Sequence, residues 1–364
     1  MSDRWARRFA GVCSALLSCC TAPPPVDSGV DSADATRDDA IVADREQDAG
    51  TLDAQLDASS LDAQLDAGTL DAQAMDVARE DSVAVTDSGS MADRAVDAQT
   101  IDVLAPSDSG VPRASAGCGR LATSGVTNGA ITVGGARRTY VLSVPAGYDP
   151  MSPTPIVFGW HGNTWTGTSF RPTIAVEASS TRPTIFVYPD GLSVEGLPAD
   201  AAGGVRGTGW DWRQDGRDVA LFDALLAELE GRYCVDTMRR YSYGRSHGGF
   251  FAHTLACARG DRLRASASVS SGAPAWVLRG MCARPLPVWM AHNADDATIP
   301  VSFADQARDR WLGTNGCSTP PSTDGPCSVY ACSRAGVQFC LSPTGNHEPP
   351  SFAGARIASW FELR

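Results

Sequence analysis

Residues Tyr241–Gly249 read Tyr-Ser-Tyr-Gly-Arg-Ser-His-Gly-Gly, and this stretch decides the fold. A short β-type run, Arg239 to Tyr243, delivers Ser246 to a turn. Glycines at 244, 248 and 249 flank the serine, and the helical-looking run Phe250 to Ala258 follows. Strand, serine turn and helix together form the Gly-x-Ser-x-Gly pattern. The reason for the glycines is steric: a serine on a sharp, strained strand-to-helix turn leaves no room for side chains two positions away on either side. A turn of that kind exposes the serine hydroxyl, so Ser246 is the candidate nucleophile. The alternative is a structural turn serine, and the surrounding chain decides between them.

Working outward, Pro155–Gly162 and Thr184–Gly191 are continuous apolar runs ending in turn residues, and Ala265–Ser270 and Leu286–Ala291 have the same character. Such runs predict strands buried on both faces. Between and after them lie helical patterns. Asp215 and Asp218 precede Val219, Phe222, Leu225, Leu226 and Leu229, which predicts a capped amphipathic helix. Ser302–Leu312 and Ile357–Leu363 predict two more helices. Earlier in the chain, Ile131–Val144 reads as a hairpin turning at Gly134-Gly135. Strands alternating with helices imply an α/β fold, a mostly parallel sheet with helices on both faces.

The N-terminal third is different. From Thr21 to Ala116 the 364-residue chain has no aromatic residue and is dominated by Asp, Ala, Ser, Val and Gly. Such a segment cannot bury enough apolar surface to offset the entropy of ordering, so residues 21–116 are expected to be a disordered linker. A nine-residue repeat, Leu-Asp-Ala-Gln-Leu-Asp-Ala plus two small residues, begins at Leu52 and again at Leu61. It reads as a self-repelling spacer. Residues 1–20 carry Arg4, Arg7 and Arg8, an apolar run Phe9–Leu17 and then Ser18-Cys19-Cys20. These are the parts of an export signal. The run is too short to span a bilayer. Leu16-Leu17-Ser18-Cys19 also resembles a lipoprotein signal, so membrane attachment through a lipidated Cys19 and free secretion both stand. Residues 117–364 are the expected globular domain, large enough for one sizeable core.

The net charge of −12 is concentrated in the linker, and the domain is near balance, which argues against nucleic acid as a partner. No histidine pair has the spacing of a zinc helix, so neither metal nor cofactor is expected. Eight cysteines lie in the domain, an even number that reads as disulfides in an exported chain. Their pairing cannot be read from spacing. The last four, Cys317, Cys327, Cys332 and Cys340, crowd the segment before His347 and are expected to hold its loop.

A nucleophilic serine needs a base and a group that orients the base. Of five histidines, His161 lies in a turn after a strand, His292 ends a strand, His247 adjoins the serine, and His253 sits on the following helix. His347 lies in an irregular late loop, the place for a base. The acid is expected after the strand Leu286–Ala291, where Asp295 and Asp296 both stand. The chain order of serine, aspartate and histidine is that of the α/β-hydrolase fold. An oxyanion hole needs backbone N–H groups aimed at developing charge. His247 offers one, and the turn Trp160-His161-Gly162-Asn163 offers the second through Gly162 or Asn163. Trp160 and Trp165 border that turn and are the expected substrate contacts.

Several spaced motifs in one order carry a more specific resemblance. They are the His161 turn, Tyr188-Pro-Asp-Gly, Gly209-Trp-Asp-Trp, Tyr233-Cys-Val-Asp, the Ser246 elbow, the His292–Pro300 segment, Asn315-Gly-Cys and Gly345-Asn-His. Together, over roughly Cys118 to Arg364, they resemble the secreted polyhydroxybutyrate depolymerase and feruloyl esterase family. The resemblance implies Ser246 as nucleophile, Asp296 rather than Asp295 as acid, and His347 as base. It implies a secreted or surface-anchored serine esterase working through an acyl-enzyme. The substrates implied are polyhydroxybutyrate-type oligomers or feruloyl and acetyl esters of polysaccharide; a serine peptidase of the same fold and an inactive surface-binding lipoprotein are the rivals. The chain departs from the family pattern at three places: Asn293 and Asn346 replace glycines, and Arg245 takes a position usually apolar or small. Arg245 is expected either to reach the cleft and bias acyl choice or to point into solvent.

Overall fold

A computed structural model describes residues 111–280, 282 and 284–364. The readings of an export signal, of Cys19 and of the repeat concern residues outside these.

Twelve strands are formed among the described residues: β1 (Gly125–Val133), β2 (Ala136–Val144), β3 (Thr154–Trp160), β4 (Ile185–Pro189), β5 (Leu192–Ser193), β6 (Thr208–Gly209), β7 (Val235–Arg245), β8 (Ala265–Val269), β9 (Val288–Asn293), β10 (Ser322–Asp324), β11 (Cys327–Tyr330) and β12 (Val337–Ser342). The helices are α1 (Gly167–Phe170), α2 (Val176–Ser179), α3 (Ala199–Ala202), α4 (Arg217–Arg232), α5 (His247–Ala258), α6 (Ala275–Arg279), α7 (Val301–Asn315) and α8 (Ala353–Glu362). Ten strands make one sheet in the order β1-β2-β4-β3-β7-β8-β9-β12-β11-β10. From β4 to β12 all neighbours are parallel. The expected hairpin β1–β2 and the strands β10 and β11 close the two ends antiparallel. This is the α/β-hydrolase fold.

The period-2 alternation of strand side chains splits the interior into two cores. Ile156, Phe158 and Trp160 of β3 face one cluster with Phe222 and Leu225 of α4 and Phe251 of α5. Val157 faces the other cluster, with Tyr241 and Tyr243 of β7 and Ile357 and Phe361 of α8. A sheet covered on both faces explains why its strands read as unbroken apolar runs.

One reading needs correcting. Helix α4 starts at Arg217 after Gly216, which makes no side-chain cap. Asp218 is instead fully buried and pairs with Arg138 of β2 at 2.6 Å, and it accepts the Asp211 N–H at 2.7 Å. A carboxylate without exposure does more by neutralising a buried arginine than by capping a helix in water. The segment before His347, which the sequence reading left unassigned, holds strands β11 and β12. Only four and six residues long and flanked by Gly and Pro, they were too short for a period to emerge.

The four bridges are Cys118–Cys234, Cys257–Cys282, Cys317–Cys332 and Cys327–Cys340. The last two fasten the β10–β12 region, and Cys340 stands on β12, the strand that leads into the His347 loop.

Candidate active site

Parallel strands deliver their loops to one edge of the sheet, so groups after β3, β7, β9 and β12 meet there. Ser246 follows β7 directly, with φ 53° and ψ −126°. A non-glycine residue at such angles is strained, and strain of this kind persists only where the surroundings over-determine it. They do so here through close backbone approach. A Cβ on Gly244 would stand 2.0 Å from the Gly248 oxygen, and one on Gly248 would stand 2.1 Å from the Trp160 oxygen. Both positions must therefore be glycine. The Ser246 N–H donates to the Val269 carbonyl at 2.9 Å, which pins the turn to β8.

His347 lies in the loop between β12 and α8. Its Nε2 accepts from the Ser246 hydroxyl at 2.9 Å, and its Nδ1–H donates to Asp296 Oδ2 at 2.8 Å. The other carboxylate oxygen, Oδ1, accepts the Thr298 and Ile299 N–H groups, each at 2.9 Å. Asp295 is exposed and does something else, accepting the backbone N–H groups of Gly345 and Asn346. The structure thus brings Ser246, His347 and Asp296 into one hydrogen-bonded chain and leaves Asp295 outside it.

The β3 turn packs on the serine: a Cβ on Gly162 would lie 3.5 Å from the Ser246 Cβ. Two N–H groups of the turn are committed, Thr164 to the Thr208 carbonyl and Trp165 to the Gly162 carbonyl. Gly162 thus packs on Ser246, and Asn163 lines the same cavity as the serine. His247 opens α5, and the first N–H groups of a helix have no partner within it.

The imidazole of His247 is scaffolding. Its Nδ1 accepts the Trp210 N–H and its Nε2–H donates to the Ala202 carbonyl, each at 3.1 Å. Burial pulls its pKa down to about 3, so it stays neutral. His161 is similar: its Nδ1–H donates to the Gly162 carbonyl, its Nε2 accepts the Gly191 N–H, and burial lowers it to about 4. His292 is buried behind the acid, with Nε2 3.9 Å from Asp296 Oδ2 and burial holding its pKa low. His253 bridges Trp311 and Ser268 in the core.

The Gly209-Trp-Asp-Trp motif has a role that sequence reasoning missed. Trp210 Nε1–H donates to the His161 carbonyl at 2.8 Å, and Trp212 Nε1–H donates to the His247 carbonyl at 3.1 Å. One short segment holds the backbone of both turns that flank the serine. The available signal was the close spacing of two tryptophans at a strand end, since a buried indole N–H needs an acceptor.

Trp160 is a correction. It is fully buried, stacked near Phe158 and edge-on to Trp210 and Phe251, and its Nε1–H donates to Ser242. As the last residue of β3 it follows Ile156 and Phe158 onto the inner face, so it cannot contact substrate. Trp165 is half-buried, and the Arg245 guanidinium lies 4.7 Å from its ring centroid. Arg245 fits neither expectation. Only 4% exposed, it donates from Nη2 to the His347 carbonyl at 2.6 Å and lies 3.6 Å from the Glu348 carboxylate. Asn293 and Asn346 meet as well: Asn293 Nδ2 donates to the carbonyls of Asn346 at 2.7 Å and Glu348 at 2.6 Å.

Beside Ser246 a cavity of about 60 Å³ is lined by Asn163, Val205, Trp212, Phe250, Thr298 and Ile299. Among the described residues no group of three His, Cys, Asp or Glu side chains is arranged to hold a metal ion, and no helix is long and apolar enough to cross a membrane.

Fold and sequence likeness together define the class, a carboxylic ester hydrolase of the α/β-hydrolase fold. Feruloyl esterase C of Emericella nidulans is 33% identical over 259 residues, 67% of this chain and 87% of that protein. A probable feruloyl esterase C of Aspergillus niger is 30% identical over 251 residues, 64% and 83% of the two chains. Feruloyl esterase D of Neurospora crassa is 28% identical over 244 residues, 62% and 77%. The chain belongs to the feruloyl esterase family of these fungal proteins. No family model matches it. Among solved structures, an acetyl xylan esterase from Aspergillus awamori has a TM-score of 0.49 at 15% identity and covers 65% of this chain and 100% of its own.

Proposed function

We propose that the protein is an exported serine esterase that cleaves feruloyl or other short carboxylic esters of polysaccharide through an acyl-enzyme. The observation that carries the mechanism is the chain from Ser246 Oγ to His347 Nε2 at 2.9 Å and from His347 Nδ1 to Asp296 at 2.8 Å. His347 takes the Ser246 proton as the hydroxyl attacks the ester carbonyl, and the N–H groups of His247 and of Gly162 or Asn163 receive the negative charge. His347 then protonates the leaving alcohol and, in the second half, activates water. Asp296 keeps the imidazole in the required tautomer and stabilises its charged form.

The names of the relatives support a feruloyl ester as acyl donor. Acetylated polysaccharide and hydroxybutyrate oligomers are the competing substrates. Four disulfides among the described residues support an oxidising compartment. Attachment through a lipidated Cys19 is the proposed anchor, and the intact mass of membrane-fraction protein tests it.

The central test compares the full chain with Ser246→Ala on methyl ferulate, p-nitrophenyl acetate and hydroxybutyrate oligomers. Loss of at least a thousandfold on every ester that the parent cleaves is the expected outcome. Equal rates for the two proteins would end the serine mechanism, and cleavage of the oligomers alone would end the feruloyl assignment.

A further inference from the structure

We propose that Arg245 is a positioning residue that ties the His347 loop to the Gly162–Asn163 turn, so that one buried guanidinium holds the base and the oxyanion donors in a common geometry. The proposal rests on the serine mechanism above.

Two loops without regular structure meet at this side chain. On one side, Nη2 donates to the His347 carbonyl at 2.6 Å, with the Glu348 carboxylate 3.6 Å away. On the other, the guanidinium lies 4.7 Å from the Trp165 ring centroid, and Nη1 stands 3.9 Å from where a Cβ on Gly162 would be. Trp165 belongs to the oxyanion turn, because its N–H closes onto the Gly162 carbonyl. Arg245 is itself the last residue of β7, so its anchor is the rigid strand that carries Ser246.

The rest of the base loop is held in the same manner. Its carbonyls from 344 to 348 all accept hydrogen bonds: Thr344 from Ser342 Oγ, Gly345 from the Glu348 N–H, Asn346 and Glu348 from Asn293 Nδ2, and His347 from Arg245. On the donor side, the N–H groups of Gly345 and Asn346 go to Asp295, and Asn346 Oδ1 accepts the Ala297 N–H. The three positions where the sequence leaves its family pattern, 245, 293 and 346, are therefore contacts on one loop. At 293 and 346 the side chains replace backbone freedom that glycines would allow. Within this set Arg245 alone reaches both the base loop and the oxyanion turn.

A guanidinium spreads its donors in a fixed plane and stacks on aromatic faces, which a lysine does only in part. A misplacement of about 1 Å in a reacting group costs on the order of a hundredfold in rate. Arg245→Met should lower kcat by roughly thirty- to a hundredfold with KM within about twofold, and Arg245→Lys should recover about a third or more of that loss on a logarithmic scale.

The experiment measures kcat and KM on p-nitrophenyl acetate for the full chain and for Ser246→Ala, Arg245→Met, Arg245→Lys and Asn293→Ala, with thermal melting of each. A kcat loss at unchanged KM that lysine partly restores supports the clamp. If Ser246→Ala is inactive while Arg245→Met keeps kcat within twofold of the parent, the clamp alone fails. A raised KM with intact kcat would make Arg245 a substrate contact and also overturn it. Should Arg245→Met not fold, Arg245→Lys and Asn293→Ala decide, and full kcat in both refutes the proposal. Ser246→Ala as active as the parent removes the serine mechanism and the clamp together.

Discussion

Asp295 and Asp296 are adjacent, both carboxylates, and do different work. Asp296 is buried and aligned on His347 Nδ1, whereas Asp295 is exposed and touches only the loop's backbone. Asp296→Asn should lower kcat by on the order of ten-thousandfold, because an amide favours the wrong imidazole tautomer. Asp295→Asn keeps an acceptor for the loop and should stay within about tenfold of the parent, the cost of a hydrogen bond or so. Steady-state rates for the pair check this, and equal losses would contradict the assignment. Trp212→Phe removes the donor to the His247 carbonyl while keeping the ring's packing, so a several-fold fall in kcat is expected, again about one hydrogen bond. At this scale the serine, the late histidine and the aspartate pair were readable from order and punctuation. The direction of Trp160 was readable too, since Ile156, Phe158 and Trp160 share a strand face. Its nearness in sequence to the oxyanion turn outweighed that signal wrongly. Arg245's partners were not readable, because His347 lies 102 positions away and only the folded sheet brings them together.

Among the elements, β3, β4, β8 and β9 declared themselves as apolar runs, while β11 and β12 did not. What makes these two strands work is covalent. The Cys327–Cys340 bridge joins them at paired positions, and β12 lies beside β9, so the strands that lead to the base and the acid run in register. Replacing both cysteines by serine should cost about 3 kcal/mol of stability, the value for a loop of this size. It should lower kcat as well, since the strand leading to His347 loosens. The same double change at Cys257–Cys282 should cost stability with little effect on kcat, because that bridge lies at the far end of α5 from Ser246. Chemical denaturation and kinetics on the two double variants test the contrast; similar kcat losses in both would refute it. No spacing argument yields these pairings, because eight cysteines allow 105 connectivities.

For the molecule as a whole, several buried imidazoles set the response to acid. Burial pulls His161 down to about 4 and His247 and His253 down to about 3, against an unfolded value near 6.5. Between those limits the unfolded chain binds more protons than the folded one, so stability rises with pH there and is lost as pH falls below about 6.5. Each histidine contributes up to about 1.4 kcal/mol per pH unit, three together up to about 4. Denaturation midpoints measured from pH 7 to pH 4.5 should fall with a slope approaching three protons, and a flat profile down to pH 5 would contradict the burial of these rings. Glu177, Asp211 and Glu362 have folded pKa values below their ordinary ones, so their contributions are lost at still lower pH and add in the same direction. The composition announced a sizeable folded domain and an even cysteine count within it. It could not announce histidines held neutral, because burial is a property of the packed sheet.

The described chain enters the domain beside β7. Ala114 bridges Asp236, Ser115 N–H donates to the Val235 carbonyl, and Cys118 is bonded to Cys234. These contacts sit at the start of the strand that ends in Arg245, roughly 30 Å away at the rise of an extended chain. Tension applied to the polypeptide ahead of residue 111 therefore loads a covalent bond at the foot of β7.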